Sequence, residues 1–205
     1  MTSLMTARLP VRRTTGDPPT LSPEPPASGR TLLLPSHIWE GTVRHFEPFR
    51  ARRVESAVYW HGIENDKDRI DVVTTLTFPD GRWGPGNYSI SEEANAQVAK
   101  LVRSFHLVPL AQVHTHPPGC EARHSSWDDA HAMSLGDGFL SLVLPQYGVA
   151  DPGSLSGAGV HERAHGRWIL LSHEHVLKRI RLTPSFMDLT PVPRSHSGTD
   201  ERRTA

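Results

Sequence analysis

Cysteine is nearly absent from this chain. The single one, Cys120 in 205 residues, excludes an internal disulfide and fits a reducing, cytoplasmic setting. An excess of either charge is also absent. Lys+Arg and Asp+Glu both number 22, so net charge draws the chain to neither nucleic acid nor an anionic membrane. No apolar run is long enough to span a bilayer, and residues 1–28 lack the apolar centre of a signal peptide. Internal repeats are missing too. Aromatic content is only 7%, yet the 37% hydrophobic share suffices for one globular domain with its own core.

Proline and histidine are plentiful instead. Residues 13–29 and the stretch from Pro191 onward are rich in Pro, Ser and Thr with few large apolar groups. Such segments cannot bury a core, so the expected organisation is a disordered tail over 1–30, a folded domain over 31–182 and a flexible tail over 183–205. Thirteen histidines mean that an isolated histidine pair carries little weight by itself.

Between the tails the pattern alternates. A short apolar strand is expected at 31–34. Ser36 then caps a helix to about Phe46, with Ile38, Trp39, Val43 and Phe46 on its apolar side and Pro48 as its stop. Residues 54–60 and 69–78 read as neighbouring strands, the second with Ile70, Val72, Thr74, Leu76 and Phe78 on one face. The Gly- and Pro-rich stretch 79–87 predicts an irregular loop. Ser89 and Glu92 resemble a capping box for a helix carrying Ala94, Val98, Leu101, Val102 and Phe105. A strand at 107–114, a helix at 127–135, a strand at 139–144 and a hairpin at 160–172 turning at His165-Gly166 complete a mixed α/β domain.

One constellation carries chemistry. His114-Thr115-His116-Pro117 ends the 107–114 strand, and the i, i+2 spacing turns both rings to one face. Two such rings can hold one metal ion at about 2.0–2.1 Å. Ser125 and Asp128 stand three apart at a helix start and share a side of it. Asp128 can complete three protein ligands and leave a fourth position for water, which marks a catalytic zinc site rather than a structural one.

Together, His114-x-His116-Pro117 and Ser125-x-x-Asp128 resemble the JAMM motif of the MPN+ (JAB-domain) metalloproteases. That family also has an upstream glutamate seven residues before a glycine, and Glu55 to Gly62 has that spacing. The stretch 138–148 is similar to the strand after the family's motif helix, and the resemblance covers about 31–182. It implies an α/β JAB/MPN domain, a mixed sheet flanked by helices. It implies one Zn²⁺ per chain on His114, His116 and Asp128, with Glu55 as general base and Ser125 as donor to the oxyanion. The implied reaction is hydrolysis of the amide at the C-terminal tail of a ubiquitin-like protein, by deconjugation or precursor processing, beside E1- or E2-like partners and with no nucleic acid or membrane. Two other readings stand beside it: a peptidase acting on a sulfur-carrier protein in cysteine or cofactor synthesis, and a non-catalytic module that binds a ubiquitin-like partner. Ser125 lies eleven residues after His114, one more than the commonest family spacing, so Ser126 with Asp129 is a second register; Ser125 with Asp128 is preferred.

Other candidates read more plainly. His161-Glu162-Arg163-Ala164-His165 matches H-E-x-x-H, a motif that works only on a helix, whereas Gly166 and the run 168–171 point to a hairpin. His173 and His175 read as a strand pair without a metal. Cys120 reads as an inert small residue rather than a ligand. Glu47 and Glu64 are alternatives to Glu55. His124 and His131 flank the site, and Trp127 is a candidate for lining the cleft.

Overall fold

The computed structural model describes residues 28–185, with Ala130 described by its backbone alone. The expected tails therefore fall largely outside the described residues, at 1–27 and 186–205. The chain runs β1 (Thr31–Pro35), α1 (Ser36–Arg52), β2 (Ala57–Asn65), β3 (Ile70–Thr77), β4 (Gly81–Trp83), β5 (Tyr88–Ile90) and α2 (Glu92–Ser104). It continues through β6 (Val108–Thr115), α3 (Ser126–Ala130), β7 (Leu140–Leu144), β8 (Gly159–Ala164), β9 (Arg167–Leu170), α4 (His173–Arg179) and β10 (Ile180–Thr183). Eight strands form one mixed sheet in the order β10-β1-β3-β2-β6-β7-β8-β9, and β4 and β5 form a separate small ribbon. Among the described residues, no helix is long and apolar enough to cross a membrane.

The sheet separates an apolar side from a polar one. Helix α1 covers the first. Its Trp39 and Phe46 are fully buried, Trp39 meets Trp60 of β2 edge-on at 6.2 Å, and the Trp60 indole donates to Thr42 Oγ1 at 2.9 Å. Val58, Ala111, Val113, Leu142 and Leu144 complete this core. The alternate residues of the central strands face the other way, toward α2 and the α3 region. There the Tyr59 hydroxyl donates to Asn95 of α2, and Gln112 bridges Ser141 and the Met133 N–H. His114 belongs to this second face, one strand position pair beyond Gln112.

Several expectations require correction. Helix α1 does not stop at Pro48 but runs on to Arg52. Pro48 removes one ladder bond and crowds the carbonyl one turn back, and the extra turn offsets this by setting Phe49 against His45 and Trp83. The helix ends at Arg53 in the left-handed conformation, φ 55°, whose N–H returns to the last-turn carbonyls. Ser36 does not cap this helix. Ser185 does so from 148 residues away, accepting the His37 N–H at 3.1 Å. For α2 the cap is Ser91, not Ser89. Of its expected apolar stripe only Ala94 and Val102 are buried, while Leu101 and Phe105 face solvent.

The inward face of β3 is also the opposite of the expected one at its start: Asp71 and Val73 are buried. Pairing passes from Val73–Gly62 to Thr75–His61, leaving Thr74 without a partner, and this bulge returns Leu76 to the core side. The stretch expected to be an irregular loop contains the β4–β5 ribbon, and the helix expected over 127–135 is only the short α3. His173 and His175 lie in α4, not in a strand; α4 and the edge strand β10 were not anticipated. The hairpin turning at His165-Gly166 is present as β8–β9, with positive φ at both turn residues.

Candidate metal centre

Three neighbouring strand ends create the site. β6 lies between β2 and β7, with His114 opposite Ala57 on one side and Val143 on the other, so its ring is held at 0% exposure. His116 follows just beyond β6. Its N–H donates to Leu144 O at 2.8 Å and its carbonyl accepts the Tyr147 N–H at 2.7 Å, which extends the strand by one clamped residue. The His116 Nδ1–H donates to Glu121 O at 3.1 Å. This assigns the proton to Nδ1 and leaves the Nε2 lone pair free to face inward.

The carboxylate arrives on α3. Ser125 is the N-cap; its Oγ accepts the Asp128 N–H and Asp128 Oδ2 accepts the Ser125 N–H at 2.6 Å, a reciprocal capping box. The Ser125 hydroxyl also donates to Asp128 Oδ2 at 2.7 Å. These bonds aim Asp128 inward. Its Oδ1 lies 3.2 Å from His114 Nε2 and its Oδ2 3.3 Å from His116 Nε2. The structure thus gathers His114, His116 and Asp128, with ligand atoms all within 4.8 Å of one another. Asp129, of the second register, instead takes the His124 ring at 3.0 Å on the outside.

This donor set fits a tetrahedral metal ion. A tetrahedral ion with bonds of about 2.0–2.1 Å places neighbouring ligand atoms about 3.3 Å apart, close to the two histidine–carboxylate separations. His114 Nε2 is buried with no satisfactory hydrogen bond, an arrangement that costs free energy unless something else occupies the lone pair. Burial alone pushes the Asp128 carboxyl up. The facing imidazoles of His114 and His116 outweigh it and hold the group well below the usual carboxylate range. Burial opposes protonation of His116, but the Asp128 and Glu121 hydrogen bonds leave its pKa raised. An anionic carboxylate facing two imidazole nitrogens is a donor set that can bind a metal ion.

Glu55 reaches the same place from far away in sequence. It sits two residues before β2, is 5% exposed, and its N–H donates to Gly84 O in the β4–β5 turn at 2.8 Å. Burial pushes its pKa up to about 7; His116 lowers it and Asp128 raises it. Glu64 lines a cleft with Arg30 and Val108 near the other end of β6, and Glu47 is exposed on α1. Cys120 is exposed and outside the cluster.

Two contributors escaped the sequence reading. Tyr88 of β5 brings its ring to 5.7 Å from His114, and desolvation first, then Asp128, lift its hydroxyl pKa well above the usual value. Nothing in the Gly/Pro-rich stretch signalled that position. His161, singled out only for H-E-x-x-H, stacks on His124 at 4.0 Å, and its Nε2 accepts the His124 N–H at 3.3 Å. Both rings have pKa values pushed down to about 3, chiefly by burial. Gly159 belongs to the same support. A Cβ there would stand 1.4 Å from Ala122 O, so the segment before Ser125 lies directly on β8. Within H-E-x-x-H, Glu162 is buried in an ion pair with Arg179 at 2.7 Å, on a strand and not a helix. Trp127 is half-exposed and stacks on His131 at 3.8 Å.

No family model matches the chain. It is 27% identical over 128 residues to a protein of Sinorhizobium fredii (strain NBRC 101917 / NGR234) named probable metalloprotease y4jG, over 58% of this chain and 73% of that protein. Its fold is similar to the solution structure of protein DSY2949 from Desulfitobacterium hafniense. The TM-score is 0.55 at 17% identity, over 75% of this chain and 94% of that one.

Proposed function

We propose that this chain is a zinc-dependent peptidase of the JAMM type. The proposed reaction is hydrolysis of the amide at the C-terminal tail of a ubiquitin-like protein. The observation that carries the reading is the three-ligand cluster of His114, His116 and Asp128, with the buried Glu55 carboxyl within electrostatic reach of His116 and Asp128. The Sinorhizobium fredii relative, named a probable metalloprotease, supports the peptidase class.

His114, His116 and Asp128 would hold the ion, and Glu121 O fixes the His116 tautomer that ligation requires. Bound there, zinc supplies a Lewis acid that polarises the scissile carbonyl and acidifies a water. Glu55 accepts the proton from the attacking water and returns it to the leaving amine; a pKa of about 7 suits both steps. The Ser125 hydroxyl, turned from Asp128 toward the substrate, donates to the oxyanion. An extended tail pairing beside the sheet would present its amide to Glu55.

The test combines zinc content with hydrolysis. Wild-type protein should carry one zinc per chain, and His116→Ala should lose it. Glu55→Gln should keep the metal and lose about 10²–10⁴-fold in rate. Full activity in Glu55→Gln, or full zinc content in His116→Ala, would refute the assignment.

A further inference from the structure

Beside the proposed reactive centre lies a cleft of about 530 Å³ that the mechanism above does not use. Arg50, Arg53, Pro118, Gln146, Tyr147 and Val149 line it. Its walls are tied to the centre by short covalent reach. Arg53 is two residues before Glu55, Pro118 is two residues after His116, and two residues span at most about 7 Å. The Tyr147 N–H bonds the His116 carbonyl directly, and the Tyr147 hydroxyl crosses to Pro85 O at 2.8 Å.

The chemistry of this cleft is cationic. The Arg53 guanidinium has no carboxylate partner among the described residues, and Arg50 makes one hydrogen bond, from Nη1 to Gly148 O at 3.2 Å. The other polar wall, Gln146, is exposed and carries no charge. Backbone shape holds the arrangement. Gln146, Tyr147 and Gly148 all have positive φ (52°, 58° and 97°), and a Cβ at Gly148 would stand 2.5 Å from Phe46 of α1. The turn is thereby pressed onto the helix whose end bears both arginines. Two planar guanidiniums with free donors suit a carboxylate, which they bind by paired, charge-assisted hydrogen bonds.

We propose that this cleft is a substrate subsite in which Arg50 and Arg53 hold the free α-carboxylate of the residue leaving the cleaved tail. The inference rests on the peptidase reading and refines its substrate class. The enzyme then trims a terminal residue: water breaks the C–N bond of the last amide, its hydroxyl stays on the shortened tail as a new carboxylate, and its proton goes to the amine of the released residue, which keeps its own α-carboxylate. A lysine side chain in an isopeptide conjugate brings no such terminal carboxylate, so end-trimming is favoured over deconjugation.

The experiment is an NMR titration of the metal-free, full-length protein with three probes. These are acetyl-glycyl-glycyl-alanine with a free carboxylate, its carboxamide, and an amide-capped peptide with an internal aspartate. The free acid should bind about tenfold more tightly than the carboxamide. Arg50→Gln with Arg53→Asn should abolish that preference. Arg53→Asn alone, exposed and compatible with the left-handed cap, should weaken it without unfolding the chain. Equal binding of acid and amide, no binding of either, or a preference that survives the double substitution would overturn the subsite. An aspartate peptide that matches the free acid would overturn the terminal-carboxylate assignment. Zinc content and hydrolysis are measured separately. A chain that keeps the acid preference but binds no zinc would refute the peptidase reading alone, and a zinc-loaded enzyme indifferent to the carboxylate would refute the subsite alone.

Discussion

Two buried polar clusters lie on different parts of this sheet, and they are built on opposite principles. Toward β10, Arg179 donates from Nε to Glu162 at 2.7 Å and from Nη2 to Gly138 O at 2.7 Å, while Arg30 pairs with both Asp71 and Asp66. Each buried acid there has its cation. At the end of β6, Asp128 faces two imidazoles, both ring nitrogens of His114 are buried without a hydrogen bond, and burial pushes the Glu55 pKa up to about 7. In the first cluster the chain itself supplies the cations that face the buried acids, although Arg179 Nη1 has no hydrogen bond. The second is left short of positive charge, which is the condition for taking up an ion. Buried charge thus marks a functional centre only where the fold leaves it incomplete.

The largest effect should come from opening the closed cluster. Arg179→Met removes the Nε donor that stands 2.7 Å from Glu162, a carboxylate at 0% exposure. It should cost about 3–5 kcal/mol in denaturant unfolding; a loss under about 1 kcal/mol would show that the two clusters do not differ in kind. Next, the open cluster should respond to metal where the closed one does not. Zinc at a hundredfold excess over its Kd should stabilise the wild type by about 2.7 kcal/mol. Chelator, or Asp128→Ala, should erase this gain, whereas Arg179→Met should retain it; a zinc-induced rise in melting temperature that persists in Asp128→Ala would place the ion elsewhere.

A further contrast is in pH dependence. The pKa of Glu55 is raised from 4.5 to about 7 in the folded chain. Its ionisation therefore costs stability that is absent below about 4.5, grows through this window and is complete above about 7. In metal-free protein, Glu55→Gln should match the wild type at pH 4 and become relatively more stable as pH climbs to 7 and beyond. Parallel curves for the two proteins would mean that the carboxyl is not desolvated by the fold.

Short-range features of the site were legible because they are local. His114 and His116 share a strand face by the two-residue period, and Ser125 with Asp128 closes a capping box by helix geometry. The mixed α/β sheet with flanking helices was legible from the alternating periods. Pro48 misled because the packing of Phe49 offsets the roughly 3 kcal/mol that an interior proline costs. The inward face of β3 misled because the bulge at Thr74 shifts the alternation by one, and no residue type announces it. Tyr88 was invisible because its position depends on how the β4–β5 ribbon sits against the centre, not on its neighbours in sequence.

By itself, the sequence determined which donors stand side by side: two rings one strand period apart, and a serine and an aspartate one helical turn apart. Only the tertiary structure decided that Glu55, far back in the chain, lies desolvated within electrostatic reach of His116 and Asp128, that His161 supports the segment carrying His124, and that arginines at the end of α1 open onto a neighbouring cleft. The division follows from range. Backbone periodicity orients residues within one element, whereas burial, charge and close approach arise only when separate elements pack.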